Sequence, residues 1–223
     1  MVAMAGDRVG ELLAELSDRW AASTGPRHGA GAQVADSLIE AMDAVLHDHR
    51  DAVYVSTPIT TGPQFVTWWQ NRGHRLAKED PEYQAEFGQV VADNIAAVRP
   101  LIERVERGLA GRPVIDPTRL GPIAGWQQPD YHAFWVRVIH RFARTVVFAE
   151  GWEYSSGCSL EFAAAMADGL QTLDAELRPL SRQAGQARLA AATAELERAG
   201  LGGSLQHRVL GELGVADPPG KRP

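Results

Sequence analysis

The sequence has little cysteine and little positive charge. Its one cysteine, Cys158, excludes a disulfide framework and a cysteine-based zinc site, and it is typical of a reducing compartment. With 28 acidic against 22 basic residues, the formal net charge of −6 argues against binding of duplex nucleic acid, which usually needs a basic face. No apolar run approaches the roughly 20 residues of a membrane span. The first residues also lack the basic and apolar regions of a signal peptide.

These absences predict a soluble, cytoplasmic protein with no membrane partner and no duplex nucleic-acid partner. What is present is a globular composition of 223 residues, 45% of them hydrophobic, which is long enough for one domain with extensions. An enzyme or a small-molecule binder fits this composition best. The spacing of the histidines predicts no metal site.

Short apolar runs, typical of buried parallel strands, alternate with helical patterns along the middle of the chain. This alternation predicts an α/β fold with a parallel sheet. The four strand candidates are Ala52–Ser56, Arg112–Pro117, Thr145–Ala149 and Leu170–Leu173.

The same pattern divides the chain into three parts. We expect a helical extension over residues 1–50, an α/β core over residues 51–178 with an insertion at about residues 63–93, and a helical extension with a tail over residues 179–223. The expected local features are a helix capped by Asp7, a loop over Ser23–Gly31, a helix over Val34–His47, a surface segment over Lys78–Glu86, a helix over Phe87–Gly108 that Pro100 kinks or breaks, and a helix over Ser159–Asp168.

Three polar segments follow the predicted strands. They are Ser56–Gly62, Asp116–Thr118 and Glu150–Glu161, and all are rich in small, hydroxyl or carboxylate side chains. Ligands of open parallel sheets bind outside the carboxyl ends of the strands, so we expect these segments to converge on one site. Neither a P-loop nor a dinucleotide fingerprint is present.

Glu161 has two interpretations at this point. In the first turn of the predicted helix, a carboxylate caps free N–H groups, and the helix dipole lowers its pKa. Alternatively, an ionised carboxylate beside a ligand pocket can attack an anomeric carbon. Trp68, Trp69 and Trp152 are either core residues or surfaces on which a base stacks. Cys158 is expected to be a bystander, since no histidine is placed by sequence to activate it.

Two motifs resemble a known family. They are VYVSTPIT (Val53–Thr60) and VVFAEGWEYSSGCSLEFAAAMADGL (Val146–Leu170). With Asn94 and the stretch Gly111–Pro117, they are similar to the nucleoside 2-deoxyribosyltransferase-like superfamily, which includes 2′-deoxynucleoside 5′-monophosphate N-glycosidases and phage-associated relatives. The resemblance covers about Ala52 to Asp174, slightly over half of the chain.

The resemblance implies a flavodoxin-like sheet of four to five strands with helices on both faces, and a hydrolase or deoxyribosyltransferase that needs no cofactor. It implies that Glu161, four residues after Gly157, attacks C1′ of a nucleoside or nucleotide. Ser155 and Gly157 would bind the sugar or a 5′-phosphate, and Trp152 stands in the same motif. A homo-oligomer is expected, because relatives often complete their sites across a dimer interface. The first loop would contact the sugar-phosphate through Ser56, Thr57, Pro58, Ile59 and Thr60.

Several points stay open at this level. Thr57 stands where relatives have a glycine, and the first loop lacks the arginine of phosphate-using relatives. The leaving base could take its proton from Asp116, Glu153, Asp130 or solvent. Two other classes of function also fit: a non-catalytic nucleotide-binding module, and an oligomeric interaction protein with a vestigial pocket.

Overall fold

A computed structural model describes residues 28–46 and 51–214. Within these residues, four strands form one parallel sheet in the order β2-β1-β3-β4. The strands are β1 (Ala52–Ser56), β2 (Val114–Ile115), β3 (Ala143–Phe148) and β4 (Gln171–Leu173). The predicted parallel α/β fold of the Rossmann/flavodoxin-like class is confirmed. The helix predicted to begin at Asp7 lies outside the described residues.

Seven α-helices accompany the sheet in the described part of the chain. They are α1 (His28–Leu46), α2 (Pro63–Asn71), α3 (Pro81–Gly108), α4 (Gln128–Phe142), α5 (Ser156–Ala167), α6 (Arg182–Arg198) and α7 (Ser204–Glu212). No helix in these ranges is long and apolar enough to cross a membrane.

The side chains of β1 alternate between two apolar layers, because successive residues of a strand point to opposite faces. Val53 and Val55 pack with residues of α3 such as Val105. Tyr54 lies in the other layer, which contains residues of α4, α5, α6 and α7. All five residues of β1 are buried, as expected of a central strand covered by helices on both faces.

Two helix starts differ from the predictions, and a third helical prediction, at Pro100, also differs. α1 begins at His28, inside the predicted loop, and α3 begins at Pro81 instead of Phe87. Proline suits this first position, since the N–H that it lacks has no partner inside the helix. α3 also continues through Pro100, where we predicted a kink or a break. Pro100 is exposed, and the buried residues on either side of it, Val98 and Leu101, hold the helix against the sheet.

The carboxyl-terminal helices α6 and α7 belong to the same packed body as the sheet. Leu189 of α6 and Val209 of α7 are fully buried in the layer that contains Tyr54. α6 also approaches α5 very closely at Gly185, where a Cβ atom would lie 2.0 Å from Cζ of Phe162. A larger residue at this position would separate the two helices.

Candidate active site

The strands β1 and β3 lie side by side, and the chain leaves their carboxyl ends in opposite directions. After β1 it crosses through α2 and α3 to β2, and after β3 it crosses through α5 to β4. Such a topological switch point is where open α/β sheets bind ligands. The turn after β3 contacts the start of α2 at Gly151, where a Cβ atom would lie 2.4 Å from Cδ of Pro63. Gly151 also has a φ of 75°, a conformation that favours glycine.

Glu161 lies at this switch point and is held by two hydroxyl groups of β1. The phenol of Tyr54 donates to Oε1 over 2.7 Å, and the hydroxyl of Ser56 donates to Oε2 over 2.6 Å. Residues 54 and 56 of a strand face the same side, so β1 presents both donors to α5. Only 7% of Glu161 is exposed. We call Tyr54, Ser56 and Glu161 the hydroxyl–carboxylate cluster.

Burial raises the pKa of Glu161, and the hydrogen bonds from Ser56 and Tyr54 only partly counteract it. The pKa of Tyr54 lies well above its ordinary value, first because of burial and then because of the charge on Glu161. Tyr54 therefore remains a protonated donor at neutral pH.

Two predictions for Glu161 are wrong. α5 begins at Ser156, three residues earlier than expected, so Glu161 lies in the second turn and does not cap the helix. Ser155 is the cap, and its hydroxyl oxygen accepts a hydrogen bond from the N–H of Cys158 over 3.4 Å. The predicted lowering of the pKa is reversed, since Glu161 is away from the free N–H groups and is buried.

The loop after β1 is fixed by Asn94 of α3. The side-chain amide of Asn94 donates to the carbonyl oxygen of Ile59 over 3.0 Å and to that of Thr61 over 2.8 Å. Of the predicted contact residues in this loop, Thr57 and Pro58 are buried, Ile59 is half-buried and Thr60 is exposed. The resemblance included Asn94, but its role depends on a contact across 33 to 35 residues that spacing alone does not reveal.

Asp116 follows β2 at the same end of the sheet, but its carboxylate is engaged locally. It accepts hydrogen bonds from the N–H of Thr118 over 2.9 Å and from the Thr118 hydroxyl over 2.7 Å, and it pairs with Arg119. It is nevertheless near enough to Tyr54 to contribute slightly to the raised pKa of the phenol. The carboxylate of Asp116 is therefore held by Thr118 and Arg119, and its hydrogen bonds do not include Glu161.

Trp152 lies beneath the site. Its side chain is 0% exposed and packs between Phe148 and Phe162, each with a ring centroid 4.8 Å away. This position supports the loop after β3 and does not favour direct contact with a ligand. Trp68 and Trp69 belong instead to an aromatic group on α2 and α3, with Phe65, Tyr83 and Phe87.

A cavity of about 380 Å³ lies against the segments that follow β1 and β3. Thr61, Tyr154 and Ser156 line it from the predicted segments after β1 and β3, whereas Glu161 and Asp116 do not line it. His132 of α4 also lines it and contacts Gly157, where a Cβ atom would lie 3.2 Å from Cδ2 of the imidazole. Burial lowers the pKa of His132 to about 4. Nothing in the spacing of the histidines indicates this placement.

Cys158 is buried behind Glu161. Burial, followed by the charge on Glu161, raises the pKa of its thiol far above the ordinary value, so the sulfur remains protonated. Within residues 28–46 and 51–214, no three His, Cys, Asp or Glu side chains are grouped to hold a metal ion.

The sheet order and these contacts define an α/β protein of the Rossmann/flavodoxin-like class with a buried carboxylate at its switch point. No protein-family model, curated protein or solved structure matches the chain.

Proposed function

We propose that the protein cleaves the N-glycosidic bond of a nucleoside or nucleotide, with Glu161 as the nucleophile. The observation that supports this most directly is the placement of the Glu161 carboxylate at the switch point, held by Tyr54 and Ser56. Each carboxylate oxygen accepts one hydrogen bond from the cluster and keeps a further lone pair for a reacting carbon. The resemblance of Val146–Leu170 to a family of glycosyl-transferring enzymes points to the same residue.

In this chemistry, one oxygen of Glu161 forms a bond to C1′ as the bond between C1′ and the base nitrogen breaks, and the base leaves with the bonding electrons. Water or a second base then attacks C1′ and releases the carboxylate. Water makes the protein a hydrolase, and a second base makes it a deoxyribosyltransferase. Burial favours the first step, because a buried carboxylate loses its charge when it becomes an ester.

The proton of the leaving base has three candidate sources among the carboxyl groups. Asp130 lines the cavity. Glu153 has a pKa raised chiefly by burial, and its Oε2 atom has no hydrogen-bond partner. Asp116 is engaged by Thr118 and Arg119. Asp130 is also engaged locally, since its Oδ2 accepts a hydrogen bond from the N–H of Gln127 over 2.7 Å. These contacts favour Glu153 over the other two carboxyl groups as the proton donor, with solvent as the remaining source.

The test is incubation of the wild type, Glu161→Gln and Glu161→Ala with a panel of nucleosides and 5′-monophosphates, with free base measured by chromatography. We expect release by the wild type, and a loss of about 10³-fold or more in both variants, as for removal of a catalytic nucleophile. Glu150→Gln is the matched control, since this exposed carboxylate lies in the same segment. Unchanged release by Glu161→Ala contradicts the proposal.

A second candidate function is binding of the same class of ligand without catalysis. It is favoured by the 7% exposure of Glu161 and by the absence of Glu161 from the cavity lining. This function predicts saturable binding by calorimetry, no product after long incubation, and equal affinity for the wild type and Glu161→Gln. A homo-oligomer and a cytoplasmic location remain predictions with either function.

A further inference from the structure

The carboxyl-terminal helices form one wall of the cavity. Leu196 of α6, Leu201 of the connecting turn, and Leu205 and Gln206 of α7 all line it. The rest of the lining comes from the loop after β1, the start of α2, the amino end of α4, and the turn after β3 with the first residue of α5. The core that resembles the glycosyl-transferring family therefore supplies only part of this cavity, and α6 and α7 supply the rest.

This wall is attached firmly to the α/β body. The phenol of Tyr154 donates to Oε2 of Glu195 in α6 over 2.6 Å, and Nε2 of Gln206 lies 3.5 Å from the carbonyl oxygen of Tyr154. Glycine at position 185 lets α6 pack directly against Phe162 of α5. The wall thus has a fixed position relative to the turn that leads into α5.

The described residues that line the cavity include neither Lys nor Arg. His132 is neutral at pH 7, since its pKa is about 4, and the single acidic residue of the lining is Asp130. A phosphate would meet no positive side chain here and would be repelled by the carboxylate of Asp130. Leucines on one wall and the polar groups of Gln128 and His132 on the other suit an uncharged group with apolar faces and a polar edge.

The cavity meets the first turn of α5, the helix that carries Glu161. Ser156 lines it, and Gly157, which contacts His132, precedes Glu161 by one helical turn. We propose that α6 and α7, together with the amino end of α4, form the compartment that accepts the uncharged nucleobase, and that Leu201 and Leu205 determine which bases fit. The identity of the ligand in this assignment rests on the proposed function. The test of the compartment measures binding and does not require turnover.

The experiment fills the compartment from its carboxyl-terminal wall with Leu201→Trp and Leu205→Trp. Ala187→Trp is the matched control, because this exposed residue of α6 is not part of the lining. Kinetics are measured with purine and pyrimidine 2′-deoxynucleosides and their 5′-monophosphates. Calorimetry on the Glu161→Gln background measures binding without turnover. Circular dichroism and thermal melting check folding, and Leu205→Ala serves if the tryptophan variants do not fold.

In both tryptophan variants, we expect KM and the dissociation constant for a purine nucleoside to rise about 10-fold or more, with kcat changed less than about 3-fold. The KM and the dissociation constant of the control Ala187→Trp should match those of the protein without this substitution. Leu205→Ala should narrow the difference in KM and in dissociation constant between purine and pyrimidine nucleosides.

Unchanged KM and dissociation constants in folded tryptophan variants overturn the compartment and leave the role of Glu161 intact. If no base is released but the tryptophan variants weaken nucleoside binding, the compartment stands and the catalytic proposal fails. A wild type that binds no nucleoside overturns the assignment of the compartment.

Discussion

Glu161 on α5 and Asp174, directly after β4, are both carboxylates of low exposure, with 7% and 6% of the residue exposed, but Glu161 lies deep in the core and Asp174 lies in a turn beside the exposed Arg178. Their pKa values are shifted in opposite directions. Burial raises the pKa of both, but for Asp174 it is outweighed by hydrogen bonds from the N–H groups of Arg178 and Glu176 and by the guanidinium of Arg178. For Glu161, two neutral hydroxyls do not outweigh it.

The comparison shows that low exposure alone does not determine the charge state of a carboxylate at this end of the sheet, and that depth and the kind of donor act together. Asp174 is stabilised as an anion by its own turn, which fits a structural role. Glu161 is held by two neutral hydroxyls of β1, so it loses relatively little hydrogen-bond energy when its charge disappears. A carboxylate that must form and break an ester is better served by the second environment than by the first.

The largest expected effect is on the free energy of unfolding, which substitutions of the two carboxylates should change differently. At pH 7, Asp174→Asn should lower the free energy of unfolding by about 1–3 kcal/mol, because an amide cannot accept all three hydrogen bonds. Glu161→Gln should leave stability unchanged or raise it, since the amide removes a buried charge and can still bond to both hydroxyls. Urea denaturation measures both variants, and equal losses in the two would refute the distinction.

The two effects should also depend on pH with opposite signs. The folded-state pKa of Asp174 is depressed, so its contribution is present above its unfolded value near 3.8 and is lost as the pH falls through the lower folded value. The folded-state pKa of Glu161 is raised, so its charge costs stability only as the pH rises above 4.5. The advantage of Glu161→Gln should therefore shrink on acidification towards pH 4.5.

An intermediate effect concerns the two hydroxyls that hold Glu161. Tyr54→Phe and Ser56→Ala each remove a hydrogen bond that lowers its pKa, so the acidic limb of the kcat/KM profile should move to higher pH. The loss of orientation should also lower turnover by about 10-fold. The control is Ser159→Ala, since this buried hydroxyl donates to the Ser155 carbonyl instead of Glu161. A profile that does not move in either variant would show that the hydroxyls do not tune Glu161.

The smallest effect is expected for Cys158→Ala. The thiol is buried with a raised pKa, so it has neither the ionisation nor the access that a nucleophile needs. Loss of a small buried side chain should cost about 1 kcal/mol of stability and leave turnover within about 2-fold of the wild type. Base-release assays and thermal melting measure the two quantities. A loss of turnover as large as that of Glu161→Gln would make the cysteine a catalytic residue.

The sequence pattern was sufficient for the sheet, because an apolar run such as Ala52–Ser56 is short, rich in β-branched and aromatic residues and soon followed by a proline, which favours a buried strand over a buried helix. Two of the three cluster residues, Ser56 and Glu161, were predicted as site residues. Tyr54 was missed, although it lies two residues before Ser56 and must share its face. The direction in which the pKa of Glu161 is shifted could not be predicted from the sequence. That depends on where α5 begins and on burial by β1, and both are tertiary properties.

The cavity was beyond sequence reasoning for a similar reason. His132 is one of seven histidines, and nothing in its spacing distinguishes it from the others. The carboxyl-terminal helices had no readable role, because their contacts with Tyr154 and Phe162 span long separations along the chain. Residues with local partners, such as Asp116 and Thr118, are the ones that a sequence can place.

The separation of 107 residues between Tyr54 and Glu161 has a consequence for folding. Their hydrogen bond requires β1 and β3 to be paired and α5 to be seated, so a partly folded chain that lacks this pairing also lacks the site. A contact between residues so far apart in the chain forms only after the long loop between them has closed, and this closure costs conformational entropy. A ligand that recognises the cluster would bind only the completed core and would stabilise all of it at once.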